Sequence, residues 1–275
     1  EGRQVSRFPR QIFTKTPLRR GFSFGSTPPR RAVHDPPMKI LIAASEFAPF
    51  AQTGDFAGYV ERLAAATAAA GNETTVVLPL YRCIREGRIA GLKRGKLRLS
   101  IELGANRVSV EVWEASGPGG VRLIFLERDE LFDRTGLYGM DGRDYQDNAA
   151  RFIFFSKAVV ELARRESPDV VHALGWQAAL VPVFARDQRL EIPTVLSPVS
   201  LEYQGHFWSH DFALTNLSGE WFPNVLEFYG SMNFLKAGIA CANSVVLPGA
   251  LNLAAMQTPE HGMSGCGLPP TARWR

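Results

Sequence analysis

The 275-residue chain has few cysteines and no long apolar segment. Its three cysteines, Cys83, Cys241 and Cys266, form no CxxC pair and have no spacing typical of metal ligands. A disulfide-stabilised scaffold and a cysteine metal site are therefore excluded, and a reducing, cytosolic compartment is expected. No apolar run reaches the roughly 18 residues that a membrane-spanning helix needs, so we expect no membrane partner.

Two further signatures are missing. No GxGxxG follows the first predicted strand, which argues against a dinucleotide-dependent dehydrogenase. An excess of positive charge is also missing beyond the N terminus: residues 1–37 carry eight basic and two acidic residues, whereas the other 238 carry 23 basic and 25 acidic residues. The overall net charge of +4 thus arises from the N-terminal segment and gives no support to nucleic-acid binding.

Residues 1–37 lack the periodicity of a helix or a strand and contain six prolines. We therefore predict a disordered, basic tail. Two origins of this tail remain open. It is either upstream sequence translated ahead of a natural start at Met38, or an organelle transit peptide that would place the protein in a plastid.

From Met38 onward, apolar runs alternate with amphipathic segments. Buried strands are predicted at 38–44, 74–80, 169–173, 194–197 and 244–247, and partly exposed antiparallel strands at 97–103, 107–114 and 121–126. Helices are predicted at 55–70, 147–165, 176–187 and 226–242. This order predicts an α/β fold with a doubly wound, Rossmann-like parallel sheet. The candidate ligand loops then follow strands, at 45–55, 173–176 and 198–210.

Six stretches match one family in order. They are KILIAASEFAPFAQTGDFAGYV, GLYGMDGRDYQDNAARFIF, DVVHALGWQAALVP, YQGHF, LEFYGSMNFLKAGIACANSVV and MQTPEHG. Residues 38–268 thereby resemble the N-terminal domain of bacterial glycogen synthases and plant starch synthases, whereas residues 269–275 have no match. The resemblance implies one Rossmann-like half of the two-domain GT-B architecture.

The same resemblance implies a reaction and its site. Members of the family transfer glucose from ADP-glucose to the non-reducing end of an α-1,4-glucan, so these two compounds are the expected partners, and no cofactor is expected. Carried over residue by residue, the match makes Asp147 the candidate catalytic residue. The candidate donor- and substrate-binding residues are Gln52, Thr53, Gly54, Asn148, His172, Trp176, Tyr203 and Gln204.

The sequence departs from the family pattern in the donor loops. Gln52 stands where the family has a lysine that reaches the donor diphosphate, and a neutral amide cannot neutralise the charge that grows on the leaving phosphate. Asp55 replaces the second glycine of the same loop, where a carboxylate repels a diphosphate. Gly58 replaces an aspartate.

Two more loops lose polar groups. Leu174 and Gly175 replace the second histidine and the aspartate of the family's HAHDW stretch. Val199 and Ser200 replace a His-Asn pair. The resemblance thus predicts a retained scaffold with a weakened donor site.

Several of these positions have a structural interpretation as well. An N-cap role is favoured for Asp55, and a core or strand-end role is favoured for His172. For Asp147, a role in the site and a role as the helix cap are equally favoured. In the capping role, Arg151 is expected to pair with Asp147 from one turn below. Tyr203, Phe207 and Trp208 either stack on sugar rings or pack in the loop.

Three functions remain open. The chain is the N-terminal half of a synthase recorded without its second domain, a glucan-binding or regulatory pseudoenzyme, or the product of a decaying gene. Because donor and acceptor must be held across a closed cleft, we expect this half to be inactive on its own.

Overall fold

The structure is a computed structural model that describes residues 36–87 and 89–247. The predicted tail therefore lies outside the described residues except for its last two positions, and so do the MQTPEHG stretch and residues 269–275. The strands are β1 (Lys39–Ala43), β2 (Glu73–Pro79), β3 (Lys93–Leu103), β4 (Asn106–Ser116), β5 (Arg122–Glu127), β6 (Gly139–Met140), β7 (Arg143–Asp144), β8 (Val170–Leu174), β9 (Thr194–Ser197), β10 (His206–Phe207), β11 (Glu227–Phe228), β12 (Ser231–Asn233) and β13 (Ser244–Val245). The helices are α1 (Asp55–Ala69), α2 (Arg82–Glu86), α3 (Asp129–Phe132), α4 (Asn148–Glu166), α5 (Val181–Asp187) and α6 (Phe234–Cys241).

Eight of these strands form one mixed sheet in the order β13-β9-β8-β1-β2-β5-β4-β3. The pairs from β13 to β5 are parallel, and β4 and β3 add an antiparallel edge. The predicted Rossmann-like α/β fold is thus confirmed, with an antiparallel extension. The chain runs from β1 outward in one direction and returns through β8 in the other, so the strand order reverses between β1 and β8. In open α/β sheets, the ends of the strands at such a reversal form a ligand crevice.

The helices follow from their apolar spacing. In α1, Ala57, Val60 and Ala64 are buried and lie three or four residues apart, which places them on one helical face. In α4, fourteen of nineteen residues are buried, so this helix runs through the protein interior. No helix in the described ranges is long and apolar enough to cross a bilayer.

Three predicted elements differ in the structure. The strand predicted at 121–126 pairs antiparallel with β4 but parallel with β2, and its four central residues are buried, so β5 belongs to the sheet interior. The helix predicted at 176–187 is interrupted: a 3₁₀ turn over Trp176–Ala178 precedes α5.

The helix predicted at 226–242 is wrong in its first half. Residues 227–233 form the β11–β12 hairpin instead, and α6 begins at Phe234. Tyr229 and Gly230 at the tip both have positive φ angles, of 49° and 83°. This is the backbone of a tight hairpin turn, which ends any helix. Asn233 then caps α6, because its side chain accepts a hydrogen bond from the backbone N–H of Lys236 at 2.9 Å.

Candidate functional site

A cleft of about 370 Å³ lies at the carboxyl ends of β1, β8 and β9. It thus occupies the crevice where the strand order reverses. Its lining residues are Glu46, Thr53, Phe56, Tyr138, Asp144, Asn148, Gly175, Trp176, Gln177, Pro198, Val199, Ser200 and Tyr203. Four of them are aromatic, two are acidic, and none of those in the described part of the chain is a lysine, arginine or histidine. The predicted loops 45–55, 173–176 and 198–210 therefore do meet here.

Glu46 anchors the loop that follows β1. Its buried carboxylate accepts hydrogen bonds from the backbone N–H of Thr53 at 2.7 Å and from the Thr53 hydroxyl at 2.8 Å. It also accepts one from the Tyr138 hydroxyl at 2.7 Å. All three donors are neutral. Burial raises the pKa of Tyr138 well above its ordinary value, so this hydroxyl stays protonated and keeps donating.

Asn148 connects this loop to helix α4. Its amide nitrogen donates to the Tyr138 carbonyl at 2.9 Å, and its amide oxygen accepts from the Arg151 guanidinium at 2.7 Å. Arg151 is fully buried and also donates to the Leu131 and Leu137 carbonyls, at 2.7 and 2.8 Å. Both ends of the Asn148 amide are therefore engaged, which fixes its orientation in the cleft.

Trp176 forms an aromatic wall. Its ring meets Phe152 edge-on at 4.9 Å and lies 5.6 Å from the Phe207 ring and 6.3 Å from the Tyr138 ring, measured between centroids. A Cβ added to Gly205 would lie 2.8 Å from Trp176, so only glycine lets the 204–207 backbone approach the indole this closely. The wall is thus held from three sides.

Asp147 lies outside the cleft lining. It occupies the N-cap position of α4 but makes no capping hydrogen bond with its side chain. Arg134 instead binds both of its carboxylate oxygens, at 2.7 and 2.6 Å. Partial burial raises the pKa of Asp147, but the hydrogen bonds and charge of Arg134 outweigh it and hold the pKa below its ordinary value. The predicted pairing with Arg151 is wrong, because that guanidinium points to Asn148 and to backbone carbonyls.

The other predicted site residues divide into three groups, of which two lie at or beside the cleft. Thr53, Trp176 and Tyr203 line the cleft together with Asn148. Gln52 and Gly54 are exposed beside Thr53 but are not lining residues. Asp55 is the first residue of α1 rather than its N-cap, which is Gly54, so the favoured capping role is wrong by one position. It still places negative charge in the first turn of α1, where charge interacts favourably with the helix dipole.

His172 and Gln204 lie behind the cleft. The His172 imidazole is hydrogen-bonded to the Ser197 hydroxyl at 2.9 Å, and burial lowers its pKa to about 4, so it is neutral at pH 7. Gln204 is buried, and its amide nitrogen donates to the Leu201 carbonyl while its amide oxygen accepts from Asn233 at 2.7 Å. Both side chains therefore contact protein groups on neighbouring segments.

Sequence reasoning missed the role of Glu46, Tyr138, Phe56 and Asp144. A signal for Glu46 exists, because it follows the central strand by three residues, in a loop already identified as a candidate. Tyr138 has no comparable local signal. It reaches the cleft through contacts with Glu46 and Asn148, which are 92 and 10 residues away in sequence.

Comparison with known proteins agrees with this fold. A family profile described as the starch synthase catalytic domain matches residues 39–268. The glycogen synthase of Opitutus terrae is 39% identical over 247 residues, covering 86% of this chain and 51% of that protein. Glycogen synthase 2 of Geobacter sulfurreducens is 33% identical over 240 residues, covering 84% and 49%. The chain thus spans about half the length of the curated relatives it matches.

A solved structure gives the same fold. The catalytic domain of starch synthase IV from Arabidopsis thaliana, bound to ADP and acarbose, superposes with a TM-score of 0.73 at 22% identity. The superposition covers 82% of this chain and 48% of that chain. Since the family profile extends over most of the sequence, the chain belongs to the starch synthase catalytic domain family.

Proposed function

We propose that this chain binds an uncharged α-1,4-glucan in the cleft, and that residues 1–275 alone do not transfer glucose from ADP-glucose. One observation carries the proposal. The described lining residues combine aromatic rings and hydrogen-bonding groups with two carboxylates and no cation. This composition suits a neutral carbohydrate and opposes a diphosphate.

The cleft offers sugar rings both kinds of contact that they use. Trp176 and Tyr203 line the cleft with aromatic rings, and Tyr203 is 69% exposed, so its ring is accessible. Asp144 and Ser200 add a carboxylate and a hydroxyl that can accept hydrogen bonds from sugar hydroxyls. Hydrogen bonds among Glu46, Tyr138 and Asn148 already fix the positions of these three lining residues. Few cleft side chains therefore lose conformational freedom when a ligand binds.

The loop at residues 44–54, which matches the family's donor loop, contains no lysine or arginine. Transfer of glucose from ADP-glucose develops negative charge on the departing diphosphate, and catalysis needs cations or aligned donors there. Gln52 supplies no charge, Asp55 adds a negative one at the start of α1, and Arg134 is neutralised by Asp147. Among the described residues that line the cleft, none is a cation that could stabilise this leaving group.

A second candidate function is glucosyl transfer by a longer protein of which this sequence forms one half. Its support is the match to about half of each glycogen synthase. The cations absent from this cleft would then come from the other half, and Asp147 would act near the donor sugar. The two candidates differ in whether transfer begins when the C-terminal half of a glycogen synthase is supplied.

The test measures binding of maltotriose and of ADP-glucose to the purified chain by titration calorimetry. We expect saturable binding of maltotriose, at least tenfold weaker binding in Tyr203→Ala, and no measurable heat with ADP-glucose. Met38→Ala is the matched control, because Met38 is a partly exposed apolar residue at the opposite ends of the strands.

A transfer assay with radiolabelled ADP-glucose and glycogen decides between the two candidates. It is run with the chain alone and with the C-terminal half of the Opitutus terrae glycogen synthase added in trans. Transfer by the chain alone contradicts the proposal. Transfer only after the addition favours the second candidate, and binding of maltotriose without transfer in either case supports glucan binding alone.

A further inference from the structure

The backbone after β9 makes a strained turn at the edge of the cleft. Val199 has a positive φ of 56°. The backbone N–H of Ser200 donates a hydrogen bond to the carbonyl of Pro198, only two residues earlier. A hydrogen bond of this span around a positive φ defines a γ-turn of the rare, strained form. Because Val199 and Ser200 both line the cleft, the strain lies at the candidate ligand site.

The residue at this turn is unsuited to its conformation. Val199 is the only β-branched residue among the six non-glycine residues with positive φ in the described ranges. A positive φ at a β-branched residue is a genuine outlier, because the two Cβ substituents crowd the backbone. Strain of this kind is concentrated at ligand clamps and switch regions. The other five residues do not line the cleft, and they are Asp141, Ser167, Arg189, Asn216 and Tyr229.

Buried residues on both sides hold the strained turn in place. Ser197, the last residue of β9, is fully buried, and its carbonyl accepts a hydrogen bond from the Gly175 N–H at 2.9 Å. Beyond the turn, Leu201 is 3% exposed, and its carbonyl accepts from the side-chain amide of the buried Gln204 at 3.0 Å. We call residues 198–203 the strap. The strap is thus fixed at both ends by the protein interior.

Between these anchors the strap is bonded mainly to itself. The hydrogen bonds that the structure describes for residues 198–203 stay within the segment or run to Gln204. In one of them the backbone N–H of Glu202 donates to the Ser200 hydroxyl at 3.2 Å. Tyr203, the last residue of the strap, is exposed and lines the cleft. A change of φ at Val199 therefore moves the strap relative to the cleft, while β9 and Gln204 stay in place.

Opening of the γ-turn changes what the strap offers to a ligand. In the turn, the Ser200 N–H is engaged by the Pro198 carbonyl. When φ of Val199 becomes negative, this bond breaks, and one backbone donor and one backbone acceptor become free at the edge of the cleft. Sugar hydroxyls both donate and accept hydrogen bonds, so they suit such a pair of backbone groups. A ligand that engages these groups also gains the strain energy that the turn releases.

We propose that the strap is a lid, which Val199 holds in a strained form in the free chain and which closes over an uncharged glucan as that strain is released. The identity of the ligand rests on the proposed function, whereas the lid itself rests on the geometry of the turn. Release of strain on binding makes the affinity depend on the backbone preference of residue 199. This dependence is separate from any contact that the valine side chain makes with the ligand.

The test compares Val199→Ala with Val199→Gly in the full 275-residue chain. Both variants lose the valine methyl groups, but glycine adopts a positive φ freely, whereas alanine retains most of the cost. In urea unfolding without ligand, we therefore expect Val199→Gly to be more stable than Val199→Ala, the reverse of the usual order. In calorimetry, Val199→Ala should bind maltotriose about tenfold more tightly than Val199→Gly, because only alanine has strain to release.

The same pair of substitutions at Val246 is the matched control. Val246 is 40% exposed, has no positive φ and does not line the cleft. At an ordinary φ, glycine loses more conformational freedom on folding than alanine does. Val246→Ala should therefore be the more stable variant of the control pair, and both variants should bind maltotriose with equal affinity.

The possible outcomes separate the lid from the proposed function. If Val199→Gly is no more stable than Val199→Ala, the positive φ is not retained in solution, and the lid is overturned. Greater stability of Val199→Gly with equal affinities would show that the turn stays strained around the ligand, which also overturns the lid. In both cases, binding of maltotriose by the wild type leaves the proposed function intact. A wild-type chain that binds no maltotriose overturns the proposed function and the lid together.

Discussion

Arg134 binds both carboxylate oxygens of Asp147 in a two-point ion pair, with nitrogen–oxygen distances of 2.7 and 2.6 Å. The Arg134 guanidinium also lies over the Tyr145 ring, 4.8 Å from its centroid. The candidate catalytic carboxylate is therefore bound by a cation from its own chain and lies outside the cleft lining. Any role for Asp147 toward a substrate requires this ion pair to open or to be shared.

Replacing Arg134 by glutamine should raise the pKa of Asp147. The hydrogen bonds and charge of Arg134 currently hold that pKa below its ordinary value against the opposite effect of burial, so their removal leaves burial as the stronger influence. A carbon-13 NMR titration of the Asp147 carboxyl measures the change directly. Arg164→Gln is the matched control, because Arg164 lies in the last turn of α4 while Asp147 precedes its first turn. An unchanged Asp147 titration in Arg134→Gln contradicts the prediction.

Arg151→Met should destabilise the protein by about 3 kcal/mol or more. The buried guanidinium supplies hydrogen bonds to two backbone carbonyls and to Asn148, and methionine leaves these acceptors without donors. Urea unfolding provides the measurement. Arg165→Met on the same helix is the control, since Arg165 forms an exposed pair with Glu161 and its loss should cost less than about 1 kcal/mol. Equal losses of unfolding free energy in the two variants would show that the buried hydrogen bonds of Arg151 do not cause the destabilisation.

His172 should make stability fall in mild acid. Burial lowers its pKa to about 4 from an ordinary value of 6.5, so the unfolded chain binds more protons than the folded protein between these values. Its contribution is therefore fully present well above pH 6.5 and is lost as the pH falls toward 4, by on the order of 3 kcal/mol. His172→Gln removes this titration, so its unfolding free energy should depend less on pH over the same window. Parallel pH profiles for variant and wild type refute the assignment.

Gly238→Ala should destabilise the protein even though alanine favours helices. An added Cβ would lie 2.3 Å from the Ala179 carbonyl oxygen and 2.9 Å from Leu196, so α6 must move away from the segment next to Trp176. We expect a loss of about 1–3 kcal/mol by urea unfolding. Gly219→Ala, where nothing lies within 4 Å of the added atom, is the control and should change stability little. A stabilised Gly238→Ala protein would mean that the helix does not pack this closely.

Local sequence patterns were sufficient for much of the sheet. The apolar run at 38–44 and the segment at 194–197 coincide with β1 and β9 within one residue at each end, because consecutive β-branched and aliphatic residues suit strands buried on both faces. The predicted order of strands and helices then identified the three loops that meet at the cleft, because each follows a parallel strand. The sequence itself also indicated that cations are few near that cleft, because Gln52 stands where the family has a lysine.

Only the tertiary structure decided which side chains meet. Tyr229 and Gly230 interrupt an apolar, helix-like pattern because the hairpin is stabilised by pairing with β10, which is distant in sequence. Arg134 takes Asp147 away from capping α4 because a bidentate ion pair outweighs a single capping hydrogen bond. Periodicity and capping preference describe neighbours along the chain. Such long-range pairings depend instead on what the folded sheet brings within hydrogen-bonding distance, and no local pattern specifies that.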